Sequence, residues 1–153
     1  MKVRTLTFAL VAAVAASFVA MADGEMATLS QDAFVALPAA GDAAPFVLDV
    51  RTPEEYVAGH VPGAVNIPYD QVGARLAEVP KDKQVVLYCR SGRRAVMASE
   101  VLAANGYTRL QHLEGDILGW QEKQRPVEVP RDPSACAAAL KAGKAQAEAC
   151  KPN

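Results

Sequence analysis

Two short apolar runs place the strongest constraint on how this chain folds. The run PFVLDV covers residues 45–50, and the run QVVLYC covers residues 84–89. Unbroken apolar runs of this length are typical of strands that are covered on both faces, as in parallel sheets. Helical patterns alternate with these runs. The sequence therefore predicts an α/β fold with a mainly parallel sheet flanked by helices on both faces.

Capping signals and apolar spacing locate the remaining elements. The segment TPEE, residues 52–55, is a capping box with proline at the first helical position, and it predicts a helix start. Ser30 is a candidate N-cap for a short helix. Leu118 and Trp120 are expected to anchor the last core helix in the core. The other predicted helices and short strands cover residues 64–67 (strand), 70–78 (helix), 93–105 (helix), 108–113 (strand) and 117–124 (the last core helix).

Length and charge limit the possible classes of function. A chain of 153 residues is sufficient for one core of ordinary size. The net charge of −1 provides no field that would favour nucleic acid or an anionic membrane as a partner. His60 and His112 are scattered, and His112 has no cysteine or carboxylate at ligand spacing, so no metal site is predicted.

The first 22 residues have the pattern of a secretory signal peptide. Lys2 and Arg4 precede an uncharged run, and Ala20-Met21-Ala22 offers a cleavage site before Asp23. An uncleaved membrane anchor is the alternative, because the run is just long enough to span a bilayer. We expect a periplasmic or secreted protein without a membrane segment after cleavage. Loss of Lys2 and Arg4 would take its charge from −1 to −3.

The three cysteines are then interpreted for an oxidising compartment. An odd number suggests one disulfide and one thiol with another purpose. Cys136 and Cys150 would lie about 21 Å apart in one straight helix, too far to bond. Gly143 lies midway, where a break could bring them together as a possible disulfide. The alternative is two free or intermolecular thiols in an Ala-rich tail.

Cys89 ends the second apolar run and enters a turn rich in arginine. Such a turn between a strand and a helix can direct backbone N–H groups inward, and the helix dipole adds positive potential. A thiol in this setting is expected to be largely thiolate at neutral pH. The alternative is a buried, inert cysteine. We predict a catalytic Cys89 and a substrate-binding loop formed by Arg90, Ser91, Gly92, Arg93 and Arg94.

With these residues the chain resembles the single-domain rhodaneses, a family of sulfurtransferases. Four stretches carry the resemblance: LDVRTPEEYVAGHVPGAVNIP (48–68), VVLYCRSGRRA (85–95), LAANGYTRL (102–110) and LEGDILGW (113–120). The resemblance implies a rhodanese-like α/β domain over residues 27–125. The proline-containing linker and Ala-rich tail over residues 126–153 lie largely outside it.

The resemblance also implies an activity. Cys89 would take a sulfane sulfur from thiosulfate or a similar small anionic donor as a persulfide, and would pass it to cyanide or a thiol. No metal or organic cofactor is needed for this reaction. The family usually has two glycines after the last strand, whereas this chain has Gly115 and Asp116. We expect Asp116 near the rim of the cleft, where it would weaken the binding of an anionic donor.

Two other functions are compatible with a similar fold. A phosphatase or arsenate reductase loop of the form C-x5-R would require arginine at position 95, where this chain has Ala95. The shorter loop suits a sulfur atom better than a phosphate group. A non-catalytic sulfur carrier or partner-binding module remains the second possibility. His60 is interpreted as a structural histidine rather than a general base, and Asp49 with Arg51 as a structural pair.

Overall fold

A five-stranded parallel sheet forms the centre of the computed structural model, which describes residues 26–145 and 147–152. The predicted signal peptide lies outside the described residues. The strand order is β1-β5-β4-β2-β3, and every neighbouring pair is parallel. The strands are β1 (Ala27–Leu29), β2 (Phe46–Asp49), β3 (Val65–Asn66), β4 (Val85–Tyr88) and β5 (Leu110–Leu113). The prediction of an α/β fold with a parallel sheet is confirmed.

The two apolar runs form neighbouring strands at the middle of this sheet. Phe46 of β2 pairs with Val85 of β4, and the register continues to Asp49 and Tyr88. All four residues of β4 are buried. Because β4 has β2 on one side and β5 on the other, its carboxyl end lies at the centre of the sheet edge. In open parallel sheets this edge is where ligands bind.

Within the described residues, five α-helices accompany the sheet, and the caps of the first two follow the sequence signals. They are α1 (Gln31–Val35), α2 (Pro53–Val57), α3 (Arg93–Ala104), α4 (Asp116–Glu122) and α5 (Pro133–Lys141). Both halves of the predicted capping box form at α2, where the Thr52 hydroxyl accepts the Glu55 N–H and the Glu55 carboxylate accepts the Thr52 N–H. Ser30 caps α1 by accepting the N–H of Ala33 at 3.2 Å.

The predicted helix over residues 70–78 is wrong. The segment forms two 3₁₀ turns, Val72–Ala74 and Leu76–Glu78, whose N–H groups bond to carbonyls three residues back. Gly73 weakens an α-helix at the centre of this segment, and Pro80 ends it. Of the two expected core anchors, Trp120 is buried as predicted, whereas Leu118 is 43% exposed.

The C-terminal tail packs on the domain. Helix α5 contacts α2, and Leu140 of α5 is buried in the core cluster. The chain reverses at Gly143, where φ is +77°, and reaches a 3₁₀ turn over Glu148–Cys150. Cys136 and Cys150 form a disulfide there, with a sequence separation of 14. Across the described part of the chain, no helix has the length and apolar character needed to span a membrane.

Candidate active site

Cys89 lies at the carboxyl end of β4, in the turn that leads to α3. It is 2% exposed and is the free cysteine of the chain, since the other two are joined. The N–H of Gly92 donates to the Cys89 Sγ at 3.1 Å. Gly92 adopts φ +98°, a conformation that favours glycine. The turn therefore directs a backbone N–H group at the sulfur, as a loop that holds an anionic sulfur requires.

The three arginines of the loop have different surroundings. Arg90 and Arg93 are exposed. Arg94 forms a two-bond salt bridge with Glu55 of α2, at 2.6 and 2.8 Å. The bonds to Glu55 raise the pKa of Arg94, and Cys89 adds a smaller effect in the same direction. The same bonds from Arg94 lower the pKa of Glu55 to about 2. The positive charge of Arg94 is thus largely balanced by a carboxylate.

Asp116 and His112 lie directly behind the loop. The Asp116 Oδ1 atom accepts the N–H of Cys89 at 2.7 Å, and its Oδ2 atom lies 2.9 Å from the Nε2 atom of His112. The next residue, Ile117, donates its N–H to the Cys89 carbonyl at 3.2 Å. The beginning of α4 therefore holds the backbone N–H and the carbonyl of Cys89.

This arrangement corrects two expectations. Asp116 was expected at the rim of the cleft, but it is 3% exposed and lies beneath Cys89. His112 was expected to have no cysteine or carboxylate at ligand spacing, but Asp116 stands four residues later, on the following helix, and contacts it. The sequence feature that could have indicated these contacts was the aspartate after Gly115. At φ +54°, Asp116 occupies the left-handed region that glycine adopts most easily.

A buried polar network supports the neighbouring strand end. Arg51 donates three hydrogen bonds to the carboxylate of Asp49, at 2.6 to 3.1 Å, and a fourth to the carbonyl of Gly59 at 2.9 Å. The Tyr88 hydroxyl donates to Asp49 at 2.6 Å and accepts the N–H of Val61. Burial raises the pKa of Tyr88. The structural interpretation of Asp49 and Arg51 agrees with these contacts, because they tie β2 and β4 to the adjoining loop.

His60 belongs to a separate structural cluster. Its ring stacks on Tyr56 with centroids 3.7 Å apart, and its Nδ1 atom lies 3.0 Å from the Tyr56 carbonyl. Its backbone pairs with Glu128 in both directions. Burial lowers the pKa of His60, so the ring is held neutral in a packed site. These contacts agree with a structural histidine rather than a general base.

A small cleft opens beside the loop. It has a volume of about 190 Å³ and lies between α2 and α4. Arg90 and Glu55 contribute polar groups, and Ala58, Ile117 and Leu118 contribute apolar ones. The exposed side chain of Leu118 therefore lines the cleft instead of the core. Arg90 is the loop residue that lines this cleft.

Comparisons with known proteins agree with this geometry. The family model for the rhodanese-like domain matches residues 30–123. A sulfurtransferase from Allochromatium vinosum is 39% identical over 84 residues, which span 55% of this chain and 78% of that protein. The thiosulfate sulfurtransferase PspE from Escherichia coli is 43% identical over 70 residues, which span 44% of this chain and 67% of that protein.

A solved structure extends the comparison to the fold. The rhodanese-related protein from Thermoplasma volcanium superimposes with a TM-score of 0.57 at 28% identity, covering 66% of this chain and 96% of that one. The family model covers more than half of the chain, and the relatives include sulfurtransferases. The chain accordingly belongs to the rhodanese-like domain family.

Proposed function

We propose that this protein is a sulfurtransferase that carries sulfane sulfur as a persulfide on Cys89. One observation supports the proposal above the others. The Gly92 N–H points at the Cys89 Sγ from a loop at the carboxyl end of the central strand. A sulfur held in this way is stabilised as an anion before attack, and the same loop can stabilise the persulfide afterwards.

The reaction proceeds in two transfers. The Cys89 thiolate attacks the outer sulfur of thiosulfate or a similar donor, the bond between the donor's two sulfurs breaks, and sulfite leaves with the electron pair. An acceptor thiolate or cyanide then attacks the outer sulfur of the persulfide. This second step forms an acceptor persulfide or thiocyanate and restores the Cys89 thiolate. No electrons are gained or lost overall, so no redox cofactor is required.

Mass spectrometry of the intact protein tests the first transfer. After incubation with thiosulfate the protein should gain the mass of one sulfur atom, and cyanide should remove it. Peptide mapping should place the sulfur on the peptide that contains Cys89. The variant Cys89→Ser should gain nothing. Equal gain by Cys89→Ser would refute the mechanism, and stable loading without release to any acceptor would instead identify a sulfur carrier.

We also propose that the protein acts in the periplasm or outside the cell. The secretory pattern of residues 1–22 and the disulfide between Cys136 and Cys150 support this location. Expression of the full chain in a Gram-negative host should give a periplasmic product that begins near Asp23. A cytoplasmic product that keeps Lys2 and Arg4 would contradict the proposal.

A further inference from the structure

The loop around Cys89 carries less positive charge than its three arginines suggest. Glu55 balances Arg94 through two hydrogen bonds. Asp116 adds a second carboxylate behind the loop, 2.7 Å from the Cys89 nitrogen. Among these five groups, three guanidinium ions against two carboxylates leave one net positive charge. A loop with this balance suits a donor with one negative charge better than a donor with two.

The conformation of Asp116 indicates that its side chain has a specific role. A residue other than glycine at φ +54° is uncommon, and such positions persist where surrounding contacts hold them. Here both carboxylate oxygens are occupied, one by the Cys89 N–H and the other by His112. The side chain is therefore fixed in a buried position directly behind the nucleophile.

His112 reaches the other end of the same loop. A Cβ atom placed on Gly92 would lie 3.3 Å from the His112 Cε1 atom and 3.4 Å from the Asp116 Oδ2 atom. Gly92 is the residue whose N–H points at the sulfur. The pair thus lies against both Cys89 and Gly92. An anion bound in front of the loop experiences the Asp116 charge across a buried peptide group, where solvent screens it weakly.

We propose that Asp116, held by His112, makes the loop discriminate against dianionic thiosulfate and favour organic persulfides as sulfur donors. This inference rests on the proposed function, in which Cys89 accepts the sulfur. The sulfane group of an organic persulfide R–S–SH carries at most one negative charge. The Cys89 thiolate bonds to its outer sulfur, the bond between the two donor sulfurs breaks, and R–S⁻ leaves with the electron pair. The proton remains on the transferred sulfur.

Alkylation of Cys89 tests the charge effect without any turnover. Iodoacetamide is neutral and iodoacetate is an anion, and both react with the same thiolate. Asp116→Asn removes the charge but can keep a hydrogen bond to Cys89, and asparagine tolerates the left-handed conformation. We expect the ratio of the iodoacetate rate to the iodoacetamide rate to rise on the order of tenfold, as for one unit charge within about 10 Å.

A matched control comes from the same chain segment. Glu114→Gln also removes one carboxylate, but the Glu114 side chain is half exposed, and its Oε2 atom lies 3.8 Å from the Lys123 Nζ atom. It should leave the alkylation ratio unchanged. An unchanged ratio in Asp116→Asn, or an equal rise in Glu114→Gln, would overturn the proposal. Folding of each variant is checked by the fluorescence of Trp120.

Steady-state kinetics then address the donor. With thiosulfate, Asp116→Asn should lower KM on the order of tenfold with little change in kcat, whereas cysteine persulfide should show little change in KM. Asp116→Gly relaxes the backbone but releases the Cys89 N–H, so kcat should fall with both donors. A shifted alkylation ratio without sulfur loading from either donor would refute the proposed function alone. Sulfur loading with an unchanged ratio would refute the charge role alone.

Discussion

The salt bridge between Glu55 and Arg94 leads to a prediction about stability and pH. The Glu55 carboxylate accepts two hydrogen bonds from Arg94 and a third from the N–H of Thr52. It therefore joins α2 to the last residue of the loop around Cys89 and completes the cap of its own helix. The variant Glu55→Gln removes the charge while retaining an amide of similar shape.

The magnitude follows from the pKa of this carboxyl group. Bonds from Arg94 lower the pKa of Glu55 from its ordinary 4.5 to about 2. This difference corresponds to at most about 3 kcal/mol of stability at neutral pH. The side chain is 29% exposed, so solvent screening reduces the expected contribution to about 1–2 kcal/mol. For a domain of this size that is a change of about 5 °C in Tm.

The sign of the pH dependence is fixed by the direction of the shift. Because the folded state holds Glu55 ionised more strongly than the unfolded state does, the stabilisation is complete above about pH 5. It is lost as the pH falls from 4.5 towards 2, while Glu55→Gln has no such contribution to lose. The difference in unfolding free energy between the natural protein and Glu55→Gln should therefore be largest at pH 6–7 and should disappear in acid.

Urea unfolding at several pH values measures this difference. The chain has one tryptophan, Trp120, which is buried and reports unfolding by fluorescence. Glu54→Gln is the matched control, since Glu54 also forms a 2.6 Å ion pair, with Lys141, but both side chains are more than half exposed. The Glu54→Gln variant should have almost the same unfolding free energy as the natural protein. A constant difference across pH 3–7 for Glu55→Gln, or an equal loss in Glu54→Gln, would refute the reasoning.

Three further predictions concern other parts of the molecule. Replacement of both Cys136 and Cys150 by serine should lower the unfolding free energy by about 3 kcal/mol. Reductant should lower the unfolding free energy of the natural protein by the same amount. An unfolding free energy that does not change with reductant would contradict a stabilising disulfide. Burial lowers the pKa of His60, so the unfolding free energy should fall as the pH drops below about 6.5, where the unfolded state takes up the proton first. Urea unfolding of His60→Gln between pH 7.5 and 5 should show a shallower fall. An identical fall in the variant would show that His60 is not the source of the pH dependence. Gly92→Ala introduces a Cβ 3.3 Å from the His112 Cε1 atom at φ +98°, and should lower the unfolding free energy by about 1–2 kcal/mol. The rate of sulfur loading, followed by mass spectrometry, should fall at least tenfold. A normal loading rate would show that this loop conformation is not required.

Local signals account for the parts of the fold that the sequence predicted correctly. The capping box at Thr52 and the apolar runs of β2 and β4 act within a few residues, so their patterns are visible in the sequence. The segment over residues 70–78 has helical composition but is interrupted by Gly73 and followed by Pro80, and it forms 3₁₀ turns. Apolar content alone did not distinguish an α-helix from 3₁₀ turns in this segment.

The candidate site shows the same division. Cys89 and its loop are contiguous and were predicted as a unit. The contact between Cys89 and Asp116 spans 27 residues, and it depends on β4 and β5 being neighbours with α4 starting beside the nucleophile. The balancing of Arg94 by Glu55 spans 39 residues. Pairings of this kind follow from sheet order, so the sequence indicated the charged groups but not which of them meet.

The pairing of cysteines constrains how a persulfide on Cys89 can be discharged. In many sulfur and redox reactions a second cysteine attacks the first intermediate and forms a disulfide. Here Cys136 and Cys150 are joined to each other in the tail that covers α2, which leaves no second thiol in this chain. In the proposed mechanism, sulfur on Cys89 would therefore be passed to a thiol or cyanide on a separate molecule. The disulfide thus both stabilises the tail and leaves Cys89 as the one free thiol of the chain.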